Sequence, residues 1–265
     1  MAQIEIQRDG SVLVVTMNRP ARKNAMTLTM FALMADAWKE LSEDDDLRCA
    51  ILTGAEGNFS SGMDLRAMAG DVDADGAIDE QARLRDDPGF IWRGLLKEHR
   101  PTKPVIAAVE GVAIAGGSEI LQGTDIRVAA ETAIFGVWEA KRGLFPLGGS
   151  ACRLPRQIPY ALAMDILLTC RPITALEAQS MGLISRVAPE GHALGVARMV
   201  AEQVAACAPL STKAILRAWR ETENMSDYDA MMHQDPIGWE VFASEDAQEG
   251  PKAFAEKRAP HFQGK

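Results

Sequence analysis

Three short segments combine glycine with groups able to bind an anion or move a proton. They are Asn58-Phe59-Ser60-Ser61-Gly62-Met63-Asp64, Ala115-Gly116-Gly117-Ser118-Glu119, and Phe135-Gly136-Val137-Trp138-Glu139, the last continued by Arg142-Gly143-Leu144-Phe145-Pro146-Leu147-Gly148-Gly149. Each places glycine beside an expected strand end, where bare backbone lets a ligand approach. A helix beginning at Gly116 leaves its first amides without intrahelical partners, pointing outward with the positive end of the helix dipole. Gly116 can therefore hold a developing oxyanion. Glu119 is three residues on, so its side chain shares a face with that amide. Glu139 follows twenty residues later. Two carboxyls held close together divide their labour, because burial and mutual repulsion raise one pKa and leave an acid beside a base. Backbone donors with such a pair suffice for chemistry at an acyl thioester. Taken singly, a Gly-Gly before a helix is more often a packing feature and a glutamate a solvated one. The combination is what carries weight.

The elements that must position these groups are legible in outline. Ile4-Glu5-Ile6-Gln7 and Val12 to Met17 flank Asp9-Gly10, a pair suited to a tight hairpin. From Thr27, a capping residue, Leu28, Phe31, Ala35, Trp38 and Leu41 mark one face of a helix. A strand follows at Cys49 to Gly54. The stretch from Gly70 to Pro88 holds six aspartates and little periodicity, and reads as a solvated connection, a mobile loop or a frayed helix. A helical segment is expected from Phe90 to His99 and a buried strand at Val105 to Val109, running into the second glycine segment. Asp125 to Ala130 and Ala133 to Val137 read as strands; Ala161 to Leu168, Ala175 to Met181 and Ala193 to Ala206 read as helices. Strand-helix alternation followed by a helical end implies an α/β fold.

In this order and in these local contexts, the three segments resemble the crotonase, or enoyl-CoA hydratase/isomerase, superfamily. The similarity continues through Ile173-Thr174-Ala175-Leu176-Glu177-Ala178, Met181-Gly182-Leu183-Ile184 and Ala253-Phe254-Ala255-Glu256-Lys257-Arg258, and so covers most of the chain. The resemblance implies a spiral of ββα units with a C-terminal helical region, divided into a catalytic core over residues 1–190 and an oligomerising region over 191–265. It adds the Met63 amide as the second oxyanion donor beside Gly116 and matches Glu139 to the second catalytic glutamate. For coenzyme A it implies contacts from Arg22, Lys23, Ala25, Ser61, Asp64, Arg66 and Lys257, the last in a tail that reaches a neighbouring subunit in relatives. Its further implications are an acyl-CoA substrate, no separate cofactor since coenzyme A is part of that substrate, and a homotrimer or dimer of trimers. The reaction implied is addition of water to a 2-enoyl-CoA, with double-bond isomerisation or dehydration of a substituted acyl-CoA as alternatives, and a non-catalytic acyl-CoA binder as the reading from another class. Three positions depart from the pattern. Ser118 stands where many hydratases have cysteine, Trp138 where proline commonly precedes the second glutamate, and Leu147 where a glycine amide helps to place the water.

Composition narrows the remaining classes. The chain has 265 residues, 47% hydrophobic and 25% charged, as in ordinary globular proteins. A net charge of -9 repels phosphate, so neither nucleic acid nor an anionic membrane is an expected partner. Coenzyme A must find local cations, and residues 251–265 supply four against Glu256 alone. The N-terminus lacks a signal-like core and no run is long enough to span a bilayer, so a soluble, cytoplasmic protein is expected. Cys49, Cys152, Cys170 and Cys207 are far apart and expected to be reduced thiols. His99, His192, His233 and His261 have no metal-ligand spacing. Neither a Gly-x-Ser-x-Gly elbow nor a nucleotide-binding glycine pattern is present.

Overall fold

The computed structural model describes residues 2–69 and 80–265. Strands β1 (Ile4–Asp9) and β2 (Val12–Met17) form an antiparallel hairpin whose last pair, Asp9 and Val12, closes around Gly10 at φ 58. Helix α1 (Leu28–Glu43) starts where Thr27 accepts a hydrogen bond from the Met30 amide, 3.2 Å. It buries Met30, Phe31, Met34, Trp38 and Leu41 at three- and four-residue intervals.

After β3 (Cys49–Gly54) come three short helices, α2 (Leu65–Met68), α3 (Glu80–Asp86) and α4 (Phe90–Gly94). The connection expected after Gly70 thus ends in a helix at Glu80, while its first part lies outside the described residues. The helix expected to reach His99 stops at Gly94, because Leu96 and His99 take left-handed φ values of 55 and 50. Trp38 donates from its indole to the Gly94 carbonyl at 3.1 Å, locking α4 onto α1.

Two ββα turns then build the centre. The first is β4 (Val105–Val109), β5 (Val112–Ile114) and α5 (Gly116–Gln122). The second is β6 (Ile126–Ala130), β7 (Ile134–Gly136) and, beyond a 3-10 turn at Glu139–Arg142, α6 (Ser150–Gln157). The chain continues through α7 (Tyr160–Thr169), β8 (Ile173–Thr174), α8 (Ala175–Ser180) and β9 (Arg186–Ala188). The first strand of each turn enters one sheet, of order β1-β2-β3-β4-β6-β9, parallel after the opening hairpin; the second enters a smaller sheet, β5-β7-β8. A single bridge from Ser60 to Ala113 joins the first glycine segment to the smaller sheet.

Both faces of the large sheet are buried, which explains why its strands read as continuous apolar runs. Leu13, Val15, Leu52, Ala107 and Val109 face the core that contains α1. Cys49, Ile51, Ile106, Ala108 and Val128 face Ala193, Ala197 and Val200 of α9 (Ala193–Ala205). Residues beyond 190 therefore begin by packing on the core. Helices α10 (Pro209–Thr222), α11 (Asp227–Phe242) and α12 (Glu245–Ala255) then pack on one another in sequence order and leave Ile215, Trp219, Trp239, Phe242 and Phe254 exposed. Among the described residues, no single helix is long and apolar enough to cross a membrane. All four cysteines are free.

Candidate active site

The first glycine segment is held by a network centred on buried Asn24. Its side-chain amide donates to the carbonyls of Ala55 and Asn58, at 3.0 and 2.6 Å, while its own carbonyl accepts from Ser60 Oγ. Next to it, Met26 N donates to Gly62 O at 2.7 Å and Asp64 N to Met26 O at 2.9 Å. This pairing uses the Gly62 carbonyl and the Asp64 N–H on either side of Met63 and leaves the Met63 N–H without a partner among the described residues. Gly62 has φ 94, and a Cβ there would lie 2.9 Å from the Gly116 nitrogen. Only glycine lets the two segments meet this closely.

Across that contact, Ala115 caps α5 with φ 50 and ψ -126, a conformation costly for an L residue. Its carbonyl accepts from both Ser118 N and Glu119 N, and the Gly116 amide has no partner among the described residues. A Cβ built on Gly116 would sit 3.4 Å from Met63 N, so two unbonded amides stand side by side.

Glu119 and Glu139 are 5% and 7% exposed. The Glu119 carboxylate is gripped by backbone: Ser150 N donates to Oε1 at 3.2 Å, and the Gly148 and Gly149 amides donate as well. A Cβ on Gly148 would be 2.6 Å from Glu119 Oε2, so a bare backbone is required there too. Burial raises the Glu119 pKa above the ordinary value, and the three amides oppose that rise. At Glu139, which opens the 3-10 turn, the Glu139 and Trp138 amides also favour the anion, but burial outweighs them. Burial first, and the neighbouring Glu119 charge second, push it up to about 7. Its Oε2 has no partner among the described residues, yet Glu119 is within hydrogen-bonding reach. A bond between two carboxyls needs a proton on one of them. Burial and the Glu119 charge favour the neutral form of Glu139, while the backbone amides around Glu119 favour its anion.

Both carboxyls, the Met63 and Gly116 segments and Ser61 line one cavity of about 490 Å³. Its remaining walls are largely apolar and come from Phe31 of α1, Trp92 and Leu95 at α4, and Trp138. Arg153, one turn into α6, bonds the carbonyls of Leu96 and Lys97 and so ties the Glu119 cradle to the α4 wall. Burial pushes that guanidinium down to about 10.

The expected coenzyme contacts divide into two groups. Ser61 lines the cavity and is bonded through Oγ and N to the carbonyls of Arg22 and Lys23. The side chains of Arg22, Lys23 and Arg66 are exposed and make no ion pair among the described residues. Ala25 is buried, and its carbonyl already accepts from Arg19 Nη1 at 2.6 Å. The Asp64 carboxylate is turned inward, paired with Arg19 at 2.9 Å and accepting from Arg66 N, so it braces the Met63 loop. Lys257 follows α12 and is absent from the cavity wall. Leu147, expected to offer its amide to water, donates instead to Phe145 O at 2.8 Å.

Sequence reasoning missed the grip on Glu119 and the brace at Arg19. A Gly-Gly-Ser run opening a helix was the available signal for the first. Phe31, Trp92 and Leu95 carried no local signal, because tertiary packing alone brings them to the cavity.

The family model for enoyl-CoA hydratase/isomerase matches residues 7–265. The chain is 54% identical to the enoyl-CoA hydratase EchA19 of Mycobacterium tuberculosis, across 98% of this chain and 96% of that protein. It is 36% identical to a carnitinyl-CoA dehydratase of Salmonella typhi, across 99% and 98% of the two chains. Its structure overlays that of the enoyl-CoA hydratase EchA1 from Mycobacterium marinum with a TM-score of 0.89 at 38% identity, covering 99% of each. The chain belongs to the enoyl-CoA hydratase/isomerase family.

Proposed function

We propose that this protein is an enoyl-CoA hydratase, a lyase of acyl-CoA metabolism, in which Glu119 and Glu139 transfer the protons and the Met63 and Gly116 amides hold the thioester oxygen. The observation that carries this reading is the convergence of two buried carboxyls with different surroundings, Glu119 bonded by the Ser150 amide and Glu139 raised to about 7, on one cavity beside two unbonded amides. The Glu119 carboxylate takes a proton from water as the water oxygen bonds to the β-carbon. The electron pair of the double bond moves toward the thioester, and the carbonyl oxygen gains charge between the two amides. Each such donor is worth about 3 kcal/mol in the transition state. The Glu139 carboxyl then gives its proton to the α-carbon. Glu119 ends protonated and Glu139 ionised, and transfer between them restores the resting pair.

The same pair can run the step in reverse, and similarity to a carnitinyl-CoA dehydratase favours dehydration of a substituted acyl-CoA as the second reading. Arg22, Lys23 and Arg66 are proposed to meet the coenzyme phosphates, since they are free cations flanking the Ser61 and Met63 segments. Helices α10 to α12, with Lys257, are proposed to assemble the chain as a homotrimer or dimer of trimers in the cytoplasm. Their exposed aromatic residues support that role. Loss of the enoyl absorbance of a 2-enoyl-CoA on addition of the protein is the direct test. Thioester binding without any change in absorbance would replace the hydratase with a binder.

A further inference from the structure

The Leu144 to Leu147 segment carries three large apolar side chains at the mouth of the cavity. Phe145 is 65% exposed and Leu147 59% exposed, and both line the same space as Glu119 and Glu139, together with Leu144. Scattered exposed leucines are ordinary, but three in four consecutive residues on one cavity wall form a patch. The segment leads directly into Gly148, whose amide holds Glu119, so the patch begins beside the reacting carbons.

Trp138 forms the adjoining wall. A Cβ on Gly136 would fall 2.2 Å from the indole nitrogen, so the ring sits directly on the Gly136 backbone. Its N–H has no hydrogen-bond partner among the described residues, and Lys141 Nζ lies 5.7 Å from the centre of its ring. Ser61, by contrast, is bonded to the backbone of Arg22 and Lys23, which puts the free cations on its side of the cavity. A thioester held between Met63 and Gly116 therefore has an exit flanked by Arg22 and Lys23 for its coenzyme and, past Arg142, a mainly apolar exit along Leu144, Phe145 and Leu147 for its acyl chain. A short acyl group would leave the Phe145 and Leu147 faces in water. A long or ring-bearing one would cover them.

Resting on the hydratase reading above, we propose that Trp138, seated on Gly136, and the lip of Leu144, Phe145 and Leu147 form a subsite for the distal part of the acyl group. The preferred substrates are thus 2-enoyl thioesters with a long or bulky apolar chain.

The test compares kcat/KM of the full chain on crotonyl-CoA, 2-octenoyl-CoA and 2-dodecenoyl-CoA, followed by loss of enoyl absorbance. Burial on the lip should raise kcat/KM by about fourfold per added methylene until the apolar faces are covered. Replacing both lip residues, Phe145→Ser with Leu147→Ser, should lower the long-to-short ratio by at least about tenfold. These side chains are exposed, so the double variant keeps the proposal testable even if Trp138→Ala fails to fold. Gly136→Ala, which displaces the indole, should shift the same ratio. Equal kcat/KM for short and long chains, or a ratio untouched by the lip variant, overturns the subsite and leaves the hydratase standing. A lip variant that alters sedimentation while keeping the ratio assigns the patch to a contact between copies, and also overturns it. If no enoyl thioester is consumed, the hydratase reading itself fails and takes the subsite with it.

Discussion

Glu119 and Glu139 are the same residue type in one cavity, both nearly inaccessible, yet their surroundings divide them. Glu119 stands where two helices begin: its own helix α5 supplies the adjacent Gly116 amide, and the first turn of α6 with the two glycines before it supplies three donors to its carboxylate. Glu139 sits on a short 3-10 turn with one oxygen unpartnered among the described residues. The difference teaches that backbone, not side-chain chemistry, decides which of two identical groups is the base. Amides stabilise an anion that burial would otherwise neutralise, and the group at which burial and a like charge outweigh them is the better proton holder.

The largest effects should come from removing either proton carrier. Glu119→Gln and Glu139→Gln should each lose about 10²- to 10⁴-fold in kcat/KM for enoyl hydration. The double variant should lose little more, because the pair acts as a unit; fully additive losses would break the comparison by showing two independent groups. Gly148→Ala leaves both carboxyls in place but puts a methyl against Glu119 Oε2, so it should cost about 10- to 100-fold with an unaltered melting temperature. Wild-type activity at this position would mean that the cradle is not needed.

A smaller effect concerns protonation. Since the Glu139 pKa in the folded protein lies above its unfolded value of 4.5, the fold is favoured by the protonated form, fully so below 4.5 and progressively less as pH rises through about 7. Glu139→Gln should therefore be more stable than wild type by about 3 kcal/mol near pH 8 and not below about pH 4.5, as read by urea unfolding. Activity that requires the Glu139 proton should decline through the same alkaline range. A stability difference independent of pH would remove Glu139 as the proton holder. The smallest expected effect is at Ala115, whose φ of 50 glycine tolerates freely: Ala115→Gly should gain about 1 kcal/mol, net of glycine's entropy. Destabilisation would show that Ala115 is not strained.

Legibility followed the range of the interactions. The Asp9-Gly10 hairpin and the apolar face of α1 were readable because a turn and a 3.6-residue period are local. The α/β class was readable from alternation of elements. Strands β5, β8 and β9, of two or three residues each, were not, since nothing so short has a period. The Gly116 amide and Glu119 were readable from a helix start and its spacing, the Met63 amide and the role of Glu139 came through resemblance, and the structure brings all four to one cavity. The grip of Ser150 on Glu119 spans 31 residues and the Arg19–Asp64 pair 45, beyond what spacing along the chain can express.

The placement of the tryptophans gives the molecule two optical channels. Trp92 and Trp138 line the cavity, whereas Trp219 and Trp239 lie exposed on α10 and α11. An acyl ligand changes the environment of the first two, and burial of the helical surface in an assembly would shift the emission of the second two toward the blue. Over the constant emission of buried Trp38, fluorescence follows occupancy of the cavity when Trp219 and Trp239 are replaced by phenylalanine, and association when Trp92 and Trp138 are replaced. Ligand binding and subunit association can then be followed in one cuvette without an attached dye.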